Sequence, residues 1–307
     1  MDKLYDLVII GSGPAGMAAA IYAERALLKT VVLEKTGVSG GQIINSLELD
    51  NYPGLPGISG YEWGVNVRAH AEKTGARFVT DEVTEILDLG ERKEVVGKKE
   101  RYLTKAVFVA TGANARLLGV PGERELTGKG VSYCATCDGA FFKNQTVAVV
   151  GGGDIALDDA LYLARICKKV WLIHRRDALR GVRILQEKVF NTPNIEILWD
   201  STVSRVNGTD EVTSIDIRNV KTAETTTLSV QGLFLAVGMI PNTDGIAGLP
   251  ALDAAGYIQA GEDCVTEIPG IFAGGDVRVK KLRQVSTAVA DGANAVTSVS
   301  EYLLTLS

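Results

Sequence analysis

Residues 7–34 read LVIIGSGPAGMAAAIYAERALLKTVVLE, and this stretch contains the pattern of a nucleotide-binding unit. A strand-like apolar run, 7–10, leads directly into a glycine-rich turn and an alanine-rich helical stretch, 17–28. A second strand-like run, 30–33, ends at Glu34. Strand, glycine turn, helix, strand and acid in this order predict a Rossmann-like dinucleotide-binding unit.

The glycines and the acid of this unit have separate roles. The first two glycines allow the tight turn and the close approach of a pyrophosphate, and the third allows the helix to touch the strand. The acid accepts hydrogen bonds from ribose hydroxyl groups. The predicted dinucleotide contacts here are Gly11, Ser12, Gly13, Pro14, Ala15, Gly16, Glu34 and Lys35.

A second unit of the same kind begins 140 positions later, at Gly151 instead of Gly11. A strand-like run, 146–150, precedes the glycine turn, a helical stretch continues to 168, and another strand-like run follows at 170–173. Glu34 lies 23 positions after Gly11, and the residue 23 positions after Gly151 is His174. The chain therefore contains two nucleotide-binding units, and a basic group replaces the acid in the second.

Two arginines follow this histidine, at positions 175 and 176. Arginines offer charge and paired donors to a ribose 2'-phosphate, so the second unit is predicted to prefer NADPH over NADH. The alternative interpretation is that Arg175 and Arg176 belong to a solvated run of charges. The predicted contacts of this unit are Gly151, Gly152, Gly153, Asp154, His174, Arg175, Arg176 and Arg180.

The rest of the chain indicates how the two units are connected. Each has an apolar closing strand that ends in glycine, at 106–110 and 233–237, and no third unit begins after Pro241. The helical tail therefore belongs with the first unit. We predict an α/β protein of two Rossmann-like, three-layer ββα domains, the second inserted into the first. The first domain comprises residues 1–115 and 243–307, and the second comprises residues 116–242.

Composition excludes several classes of protein. The 307 residues are 46% apolar and 22% charged with a net charge of −5, which is globular composition and unlike that of nucleic-acid or anionic-membrane binders. No apolar run reaches the length of a membrane span, and Asp2 and Asp6 lie where a secretory signal would be basic and then apolar. We therefore expect a cytoplasmic protein without a membrane or nucleic-acid partner.

A closely spaced cysteine pair, Cys134-Ala135-Thr136-Cys137, precedes the second glycine turn. Such a pair readily closes a small disulfide ring. A structural zinc site needs four ligands, and the chain has four cysteines in total and two histidines, with no second pair. The spacing therefore favours a redox disulfide and no metal. Cys167 and Cys264 are predicted to be structural.

These features together resemble the low-molecular-weight thioredoxin reductases, a family of flavoprotein pyridine-nucleotide disulfide oxidoreductases. The resemblance covers nearly the whole chain. It rests on GSGPAG at 11–16, GGQ at 40–42, NYPG at 51–54, ATG at 110–112, CATCDG at 134–139, HRRD at 174–177, GD at 275–276 and RQ at 283–284.

The resemblance implies FAD on the first domain, NADPH on the second and a homodimer. Electrons would pass from NADPH through FAD to the disulfide and then to thioredoxin or a thioredoxin-like dithiol protein. It also implies that Cys137 is the sulfur next to the flavin, Cys134 the interchange thiol and Asp138 the general acid and base. Further FAD contacts implied by it are Gly41, Gln42, Asn51, Ala110, Thr111, Gly112, Gly275, Asp276, Arg283 and Gln284.

Several alternatives stay open at the sequence level. Asp138 could instead be a helix-capping acid without a chemical role. Ile155 stands where family members commonly carry serine, and Asp158-Asp159 stands where they carry a glutamate pair, which affects the expected nicotinamide contacts. The same chemistry could serve another dithiol carrier or use a donor other than NADPH. A flavin-binding or NADPH-sensing protein without turnover is the alternative from a different class.

Overall fold

The computed structural model describes residues 4–46, 49 and 51–306, which form an α/β protein. Its strands are β1 (Tyr5–Ile10), β2 (Thr30–Glu34), β3 (Phe78–Thr80), β4 (Val83–Asp88), β5 (Lys93–Gly97), β6 (Arg101–Val109), β7 (Ala113–Ala115), β8 (Val131–Ser132), β9 (Thr146–Val150), β10 (Lys169–Ile173), β11 (Ile195–Leu198), β12 (Ser201–Gly208), β13 (Val212–Asn219), β14 (Thr225–Ser229), β15 (Gly232–Leu235), β16 (Met239–Pro241) and β17 (Ile271–Ala273).

The helices lie mainly after the strands that carry the glycine turns and at the C-terminal end. They are α1 (Pro14–Arg25), α2 (Gly60–Thr74), α3 (Ala135–Asp138), α4 (Asp154–Ala164), α5 (Arg183–Phe190) and α6 (Val285–Thr305), with 3-10 segments at Gly41–Asn45, Gly139–Phe142 and Gly275–Val277. No helix in the described part of the chain has the length and apolar character needed to cross a membrane.

The chain divides into two compact units. Unit 1 contains the residues up to Asn114 and those from Ile240 onward, and unit 2 contains Ala115–Met239. Unit 2 is therefore an insertion between two parts of unit 1. The two connecting strands, β7 and β16, pair with each other.

Unit 1 has three layers. Its parallel strands follow the order β3-β2-β1-β6, and β17 also pairs with β6 in parallel. The first half of β6 pairs with antiparallel β5, which continues to β4. One face of the sheet, with Leu7 and Ile9, packs on α1 and α6, and the opposite face, with Val8 and Ile10, packs on residues of β4 and β5 such as Ile86.

Unit 2 repeats this plan. Its parallel sheet has the order β11-β10-β9-β15-β8, beside a three-stranded antiparallel sheet, β12-β13-β14. Val147 and Val149 of β9 pack on α4, whereas Ala148 and Val150 face the antiparallel sheet. The alternation of neighbouring side chains between two buried faces explains why β9 is apolar after its first residue, Thr146. The predicted fold class, with one domain inserted into the other, is confirmed.

Three helices begin or end at residues that differ from the sequence pattern. α4 ends at Ala164, although the pattern continues to position 168. α1 ends at Arg25 instead of position 28, because the backbone of Leu27 turns left-handed with φ of 59°. The sequence also predicts a helical segment near 179–190, but α5 begins at Arg183. The carbonyl of Gly152 accepts the N–H groups of the residues at 180 and 181, which holds this stretch as a loop.

Candidate functional site

Cys134 and Cys137 form a disulfide at the start of α3 in unit 2. β8 ends two residues before Cys134, which is the N-cap residue of α3. The Cys134 carbonyl accepts the N–H groups of Cys137 and Asp138, each at 3.2 Å, and this single turn brings the two sulfurs together. The Cys134–Cys137 bond supports the disulfide interpretation of the pair. Among residues 4–46, 49 and 51–306, no cluster of three potential metal ligands occurs.

Asp138 lies beside this pair, and its carboxylate accepts a hydrogen bond of 2.6 Å from the Ser132 hydroxyl. Burial raises the pKa of Asp138, and the hydrogen bond from Ser132 offsets part of that rise. Asp138 is also the N-cap residue of the 3-10 segment that begins at Gly139, but within the described chain its side chain makes no capping hydrogen bond there. A carboxyl group in this environment keeps its proton to a higher pH than an exposed aspartate does, which suits it to act as a general acid.

The second glycine turn connects β9 with α4, and the loop 174–182 runs beside it. The Gly152 carbonyl accepts the N–H of Arg180 at 2.6 Å, and the Asp154 carboxylate accepts the N–H of Val182 at 2.7 Å. A methyl group on Gly153 would meet no atom within 4 Å, so this side of the turn has room for a ligand. Asp154, predicted as a cofactor contact, thus holds the loop that carries the basic residues.

The predicted basic residues occupy two different environments. Arg175, Arg176 and Arg180 are exposed, and none of them forms an ion pair with a carboxylate in the described part of the chain; the neighbouring Asp177 pairs with Lys221 at 3.5 Å. These guanidinium groups beside a glycine turn fit a ribose 2'-phosphate.

His174 differs from the arginines because it is buried under the glycine turn. Its ring would be in the way of any side chain at Gly152, and its Nε2 lies 3.0 Å from the Ala178 carbonyl. Burial lowers the pKa of His174, with the charges of Arg180 and Arg176 acting in the same direction. The neutral imidazole therefore supports the shape of the turn, and the arginines carry the positive charge.

The first glycine turn, in unit 1, is bound to the acid at the end of β2. Glu34 Oε2 accepts the N–H of Ser12 at 2.9 Å and its hydroxyl at 2.7 Å, and Oε1 accepts the N–H of Thr36 at 3.1 Å. The Thr36 hydroxyl can donate either to Oε1 or to the Val38 carbonyl. Oε1 therefore keeps a lone pair for a ribose hydroxyl, as predicted for this position. The adjacent Lys35 is exposed.

Gly275 and Asp276 lie next to this turn, since a methyl group on Gly275 would stand 3.0 Å from the Ala15 side chain. Asp276 Oδ1 is buried and has no hydrogen-bond partner within the described residues, and burial raises the pKa of its carboxyl group. An unpartnered buried carboxylate is costly unless a ligand donates to it. A flavin with ribityl hydroxyl groups would supply such donors, so the site fits FAD.

The other predicted flavin contacts form short links within unit 1. The Asn51 amide donates to the Gln284 side chain at 2.9 Å, and the Gln42 amide donates to the Ala113 carbonyl. The Arg283 guanidinium lies 4.2 Å from the centre of the Tyr257 ring, and its buried Nε has no partner among the residues described. A bound ligand that accepts a hydrogen bond would satisfy this buried atom as well.

The loop at 110–112 and Gly41 complete the predicted set. The Thr111 hydroxyl donates to the Asn242 carbonyl at 2.8 Å, and the Asn242 amide donates back to the Thr111 carbonyl at 2.8 Å. Ala110 is buried and Gly112 partly buried, whereas Gly41 is exposed next to Gly13. Sequence analysis did not assign a role to Asn242, which holds this loop.

Three more residues that sequence analysis did not single out support the site. Ser132 contacts the predicted acid Asp138. In unit 1, the buried Asp291 accepts the N–H of Gly275 at 2.7 Å and pairs with Arg278 at 2.8 Å. Their roles depend on contacts over 6 to 16 positions, for which the sequence has no local pattern.

Comparison with known proteins agrees with this geometry. The pyridine nucleotide-disulphide oxidoreductase family matches residues 5–292. The chain belongs to this family. It is 45% identical to a thioredoxin reductase of Peptoclostridium acidaminophilum over 99% of this chain and 98% of that protein, and 42% identical to one of Bacillus subtilis over 98% and 96%. The crystal structure of thioredoxin reductase from Streptococcus pyogenes is 45% identical, covers 99% of this chain and 100% of its own, and superposes with a TM-score of 0.94.

Family membership confirms the resemblance on which the sequence analysis relied, and with it an oxidoreductase with a redox disulfide. Thioredoxin reductases of this pyridine nucleotide-disulphide oxidoreductase family use FAD and NADPH. Both cofactors fit the residues present: the first glycine turn and Asp276 suit FAD, and the second glycine turn and the exposed arginines suit NADPH.

Proposed function

We propose that this chain is an NADPH-dependent thioredoxin reductase, which passes two electrons from NADPH to the disulfide of a thioredoxin. Residues 1–115 and 243–307 bind FAD, and residues 116–242 bind NADPH. The observation that carries the proposal is the Cys134–Cys137 disulfide, which lies next to Asp138, a carboxyl group whose pKa is raised. When bound, FAD supplies the two-electron link between the nicotinamide and this disulfide.

The residues of unit 1 and unit 2 hold the two cofactors in this proposal. Asp276 and Glu34 accept hydrogen bonds from the hydroxyl groups of FAD, as their free acceptor positions allow. Arg175, Arg176 and Arg180 bind the 2'-phosphate of NADPH. The remaining predicted contacts line the glycine turns and the loops that lead to them.

The cysteines carry out two exchange reactions. Two electrons break the Cys134–Cys137 bond, and the Cys134 thiolate then attacks one sulfur of the thioredoxin disulfide. The second thioredoxin sulfur leaves as a thiolate and takes a proton, for which Asp138 is the donor. The Cys137 thiolate then attacks the Cys134 sulfur of the mixed disulfide, so that the intramolecular disulfide re-forms. The first thioredoxin sulfur, which was bound to Cys134, is released as a thiolate and protonated.

The setting of this reaction is a homodimer in the cytoplasm, with thioredoxin or a thioredoxin-like dithiol protein as partner. A reductase for another dithiol carrier would have the same redox residues. The three exposed arginines favour NADPH over a donor without a 2'-phosphate.

Replacement of each redox cysteine tests the proposal. In Cys134→Ser and Cys137→Ser, NADPH should still bleach the flavin absorbance while reduction of thioredoxin disappears, because only the second half-reaction uses the pair. Cys167→Ala is the control, since Cys167 is buried with a pKa raised to about 11. Purified wild-type protein should be yellow because it binds FAD. Assays of this protein with several thioredoxins, and with NADPH, NADH and reduced ferredoxin as electron donors, identify the partner and the donor. Thioredoxin turnover in either serine variant would overturn the proposal.

A further inference from the structure

We infer that Ser132 is a positioning residue for Asp138: its hydroxyl group bonds the carboxyl group in both protonation states and links it to the main chain of Cys134. The inference deepens the proposed function and rests on it, because hydrogen bonding in both protonation states matters only if Asp138 exchanges a proton. No cofactor is required for the contacts that carry the argument.

The hydroxyl group of Ser132 lies within hydrogen-bond distance of three polar atoms. The oxygen lies 2.6 Å from Asp138 Oδ2, accepts the N–H of Cys134 at 3.1 Å, and lies 3.3 Å from the Cys134 carbonyl oxygen. Ser132 is 5% exposed and ends β8, where it pairs with Phe234 of β15. The parallel sheet of unit 2 therefore fixes the position of the hydroxyl group.

A hydroxyl group has one hydrogen to donate and can accept two hydrogen bonds. With Asp138 ionised, the Ser132 O–H donates to the carboxylate and accepts from the Cys134 N–H. With Asp138 protonated, the carboxyl O–H donates to Ser132, and the Ser132 hydrogen turns to the Cys134 carbonyl. Asp138 Oδ2 thus has a hydrogen bond with Ser132 in each protonation state, and apart from the proton itself the change between the states needs only rotation of the Ser132 O–H bond.

This arrangement counteracts the effect of burial on the acid. Burial disfavours the ionised form, and the Ser132 hydrogen bond favours it, which keeps the proton removable. Loss of the Ser132 hydroxyl group removes the hydrogen bond that favours the ionised carboxylate and leaves the effect of burial in place. The carboxyl group would then keep its proton to a higher pH. The part of the pH–rate profile of the dithiol step that reports the titration of Asp138, here called its limb, would shift to higher pH as well.

The test compares Ser132→Ala with Ser132→Thr, which keeps the hydroxyl group. The control is Ser201→Ala, because Ser201 is a buried serine of the same unit whose hydroxyl bonds the Trp199 carbonyl. The first readout is the pKa of Asp138 in oxidised holoenzyme, from the carboxyl carbon resonance of aspartate-labelled protein, assigned by its absence in Asp138→Asn. Loss of a hydrogen bond to a charged group corresponds to a rise of about one pH unit or more.

The second readout is the pH dependence of the dithiol step, measured by rapid mixing. We expect its limb to rise by the same amount in Ser132→Ala, and to stay at the wild-type position in Ser132→Thr and Ser201→Ala. An unchanged pKa in Ser132→Ala, or a raised pKa with an unchanged pH profile, would overturn the inference. If the wild-type protein reduces no thioredoxin, the proposed function fails, and the titration of Asp138 still decides whether Ser132 controls it.

Discussion

Burial and one hydrogen bond act in opposite directions on Asp138, and the net effect is a raised pKa. We expect Asp138→Asn to leave flavin reduction by NADPH intact and to slow the dithiol step roughly 100-fold, the usual contribution of a general acid. The wild-type rate should change with pH above the ordinary aspartate pKa of 3.8, and the variant should lack that change. Rapid-mixing measurement of both half-reactions checks this. An unaffected dithiol step would assign Asp138 a structural role instead.

The charge of the second glycine turn resides in exposed arginines, while the histidine beside them is buried. For the double variant Arg175→Ala with Arg176→Ala, we expect the Michaelis constant for NADPH to rise about 100-fold, because two hydrogen bonds to a phosphate are lost. The constant for NADH should hardly change. Arg205→Ala, an exposed arginine on the antiparallel sheet, is the matched control. Retained preference for NADPH would place the phosphate elsewhere.

For individual residues, the sequence predicts which residue types stand at motif positions but not which atoms each side chain contacts. It placed His174 in the nucleotide site, and only the packed structure shows that the ring lies beneath Gly152 while the arginines face solvent. The sequence does not predict a role for Ser132, because a single serine before a cysteine forms no recognisable motif. Its importance comes from the turn of α3, which returns Asp138 to it.

Among the secondary-structure elements, α6 and the 3-10 segment after β17 are joined by a buried charge network. Burial alone would raise the pKa of Asp291, but hydrogen bonds from Arg278 and Lys280 reverse this and lower it. Both cations are almost fully buried with it, at 2.8 and 2.9 Å. The same carboxylate accepts the N–H of Gly275, so the network fixes the segment that carries Asp276.

Asp291→Asn leaves the buried Lys280 without its counter-charge and leaves Arg278 with the exposed Glu262 as its ion-pair partner. We therefore expect a loss of about 3–5 kcal/mol in the free energy of unfolding, and faster loss of FAD. Glu262→Gln is the control, because Glu262 bonds the same arginine but is 87% exposed, and its effect should be below about 1 kcal/mol. Urea unfolding of the holoenzyme measures both. Equal stability of the two variants would show that the network contributes little.

The pH dependence of this network follows from the lowered pKa of Asp291. Its stabilising effect is present above the unfolded value near 3.8 and is lost as pH falls through the lower folded value. Wild-type protein should therefore lose more stability on acidification than Asp291→Asn does. Urea unfolding of both proteins at neutral and acidic pH checks the sign.

The elements that the sequence predicted well are those with strong local patterns. Both glycine turns, their flanking strands and the start of α4 follow from apolar periodicity and glycine spacing. Helix ends depend on partners that are distant in the chain. The start of α5 is set by hydrogen bonds to Gly152 and Asp154, which lie at the start of α4. The Asp291 network joins residues 11 to 16 positions apart, and no periodicity encodes such a contact.

For the whole molecule, the insertion of unit 2 followed from the sequence, but the nature of its connections did not. Residues 118–121 contain the glycine and proline expected of a hinge. In the structure, the buried Glu123 carboxylate accepts the N–H groups of Leu118 and Gly119 at 3.0 and 2.7 Å, which holds this segment within unit 2. We therefore expect the chain to turn at β7 and β16, where the division between the units falls.

The distribution of the redox residues between the units predicts motion. The disulfide and the predicted NADPH contacts both lie in unit 2, whereas the predicted flavin contacts lie in unit 1. Each transfer requires reacting atoms about 3–3.5 Å apart, and Cys134 must also reach a protein substrate, so one rigid arrangement is not expected to serve every step. Rotation of unit 2 about β7 and β16 would bring the nicotinamide of NADPH to the flavin in one state and the Cys134–Cys137 disulfide to it in the other.

A cleavable covalent link between the units of oxidised holoenzyme tests this motion. In the fraction locked with the disulfide at the flavin, NADPH should no longer bleach the flavin absorbance, because the nicotinamide cannot approach. Dithionite should still deliver electrons to the Cys134–Cys137 disulfide, measured as new thiols, since that path needs no rotation. Cleavage of the link should restore turnover with NADPH and thioredoxin, which separates locking from damage. Locked enzyme that turned over at the normal rate would show that a single arrangement serves both transfers.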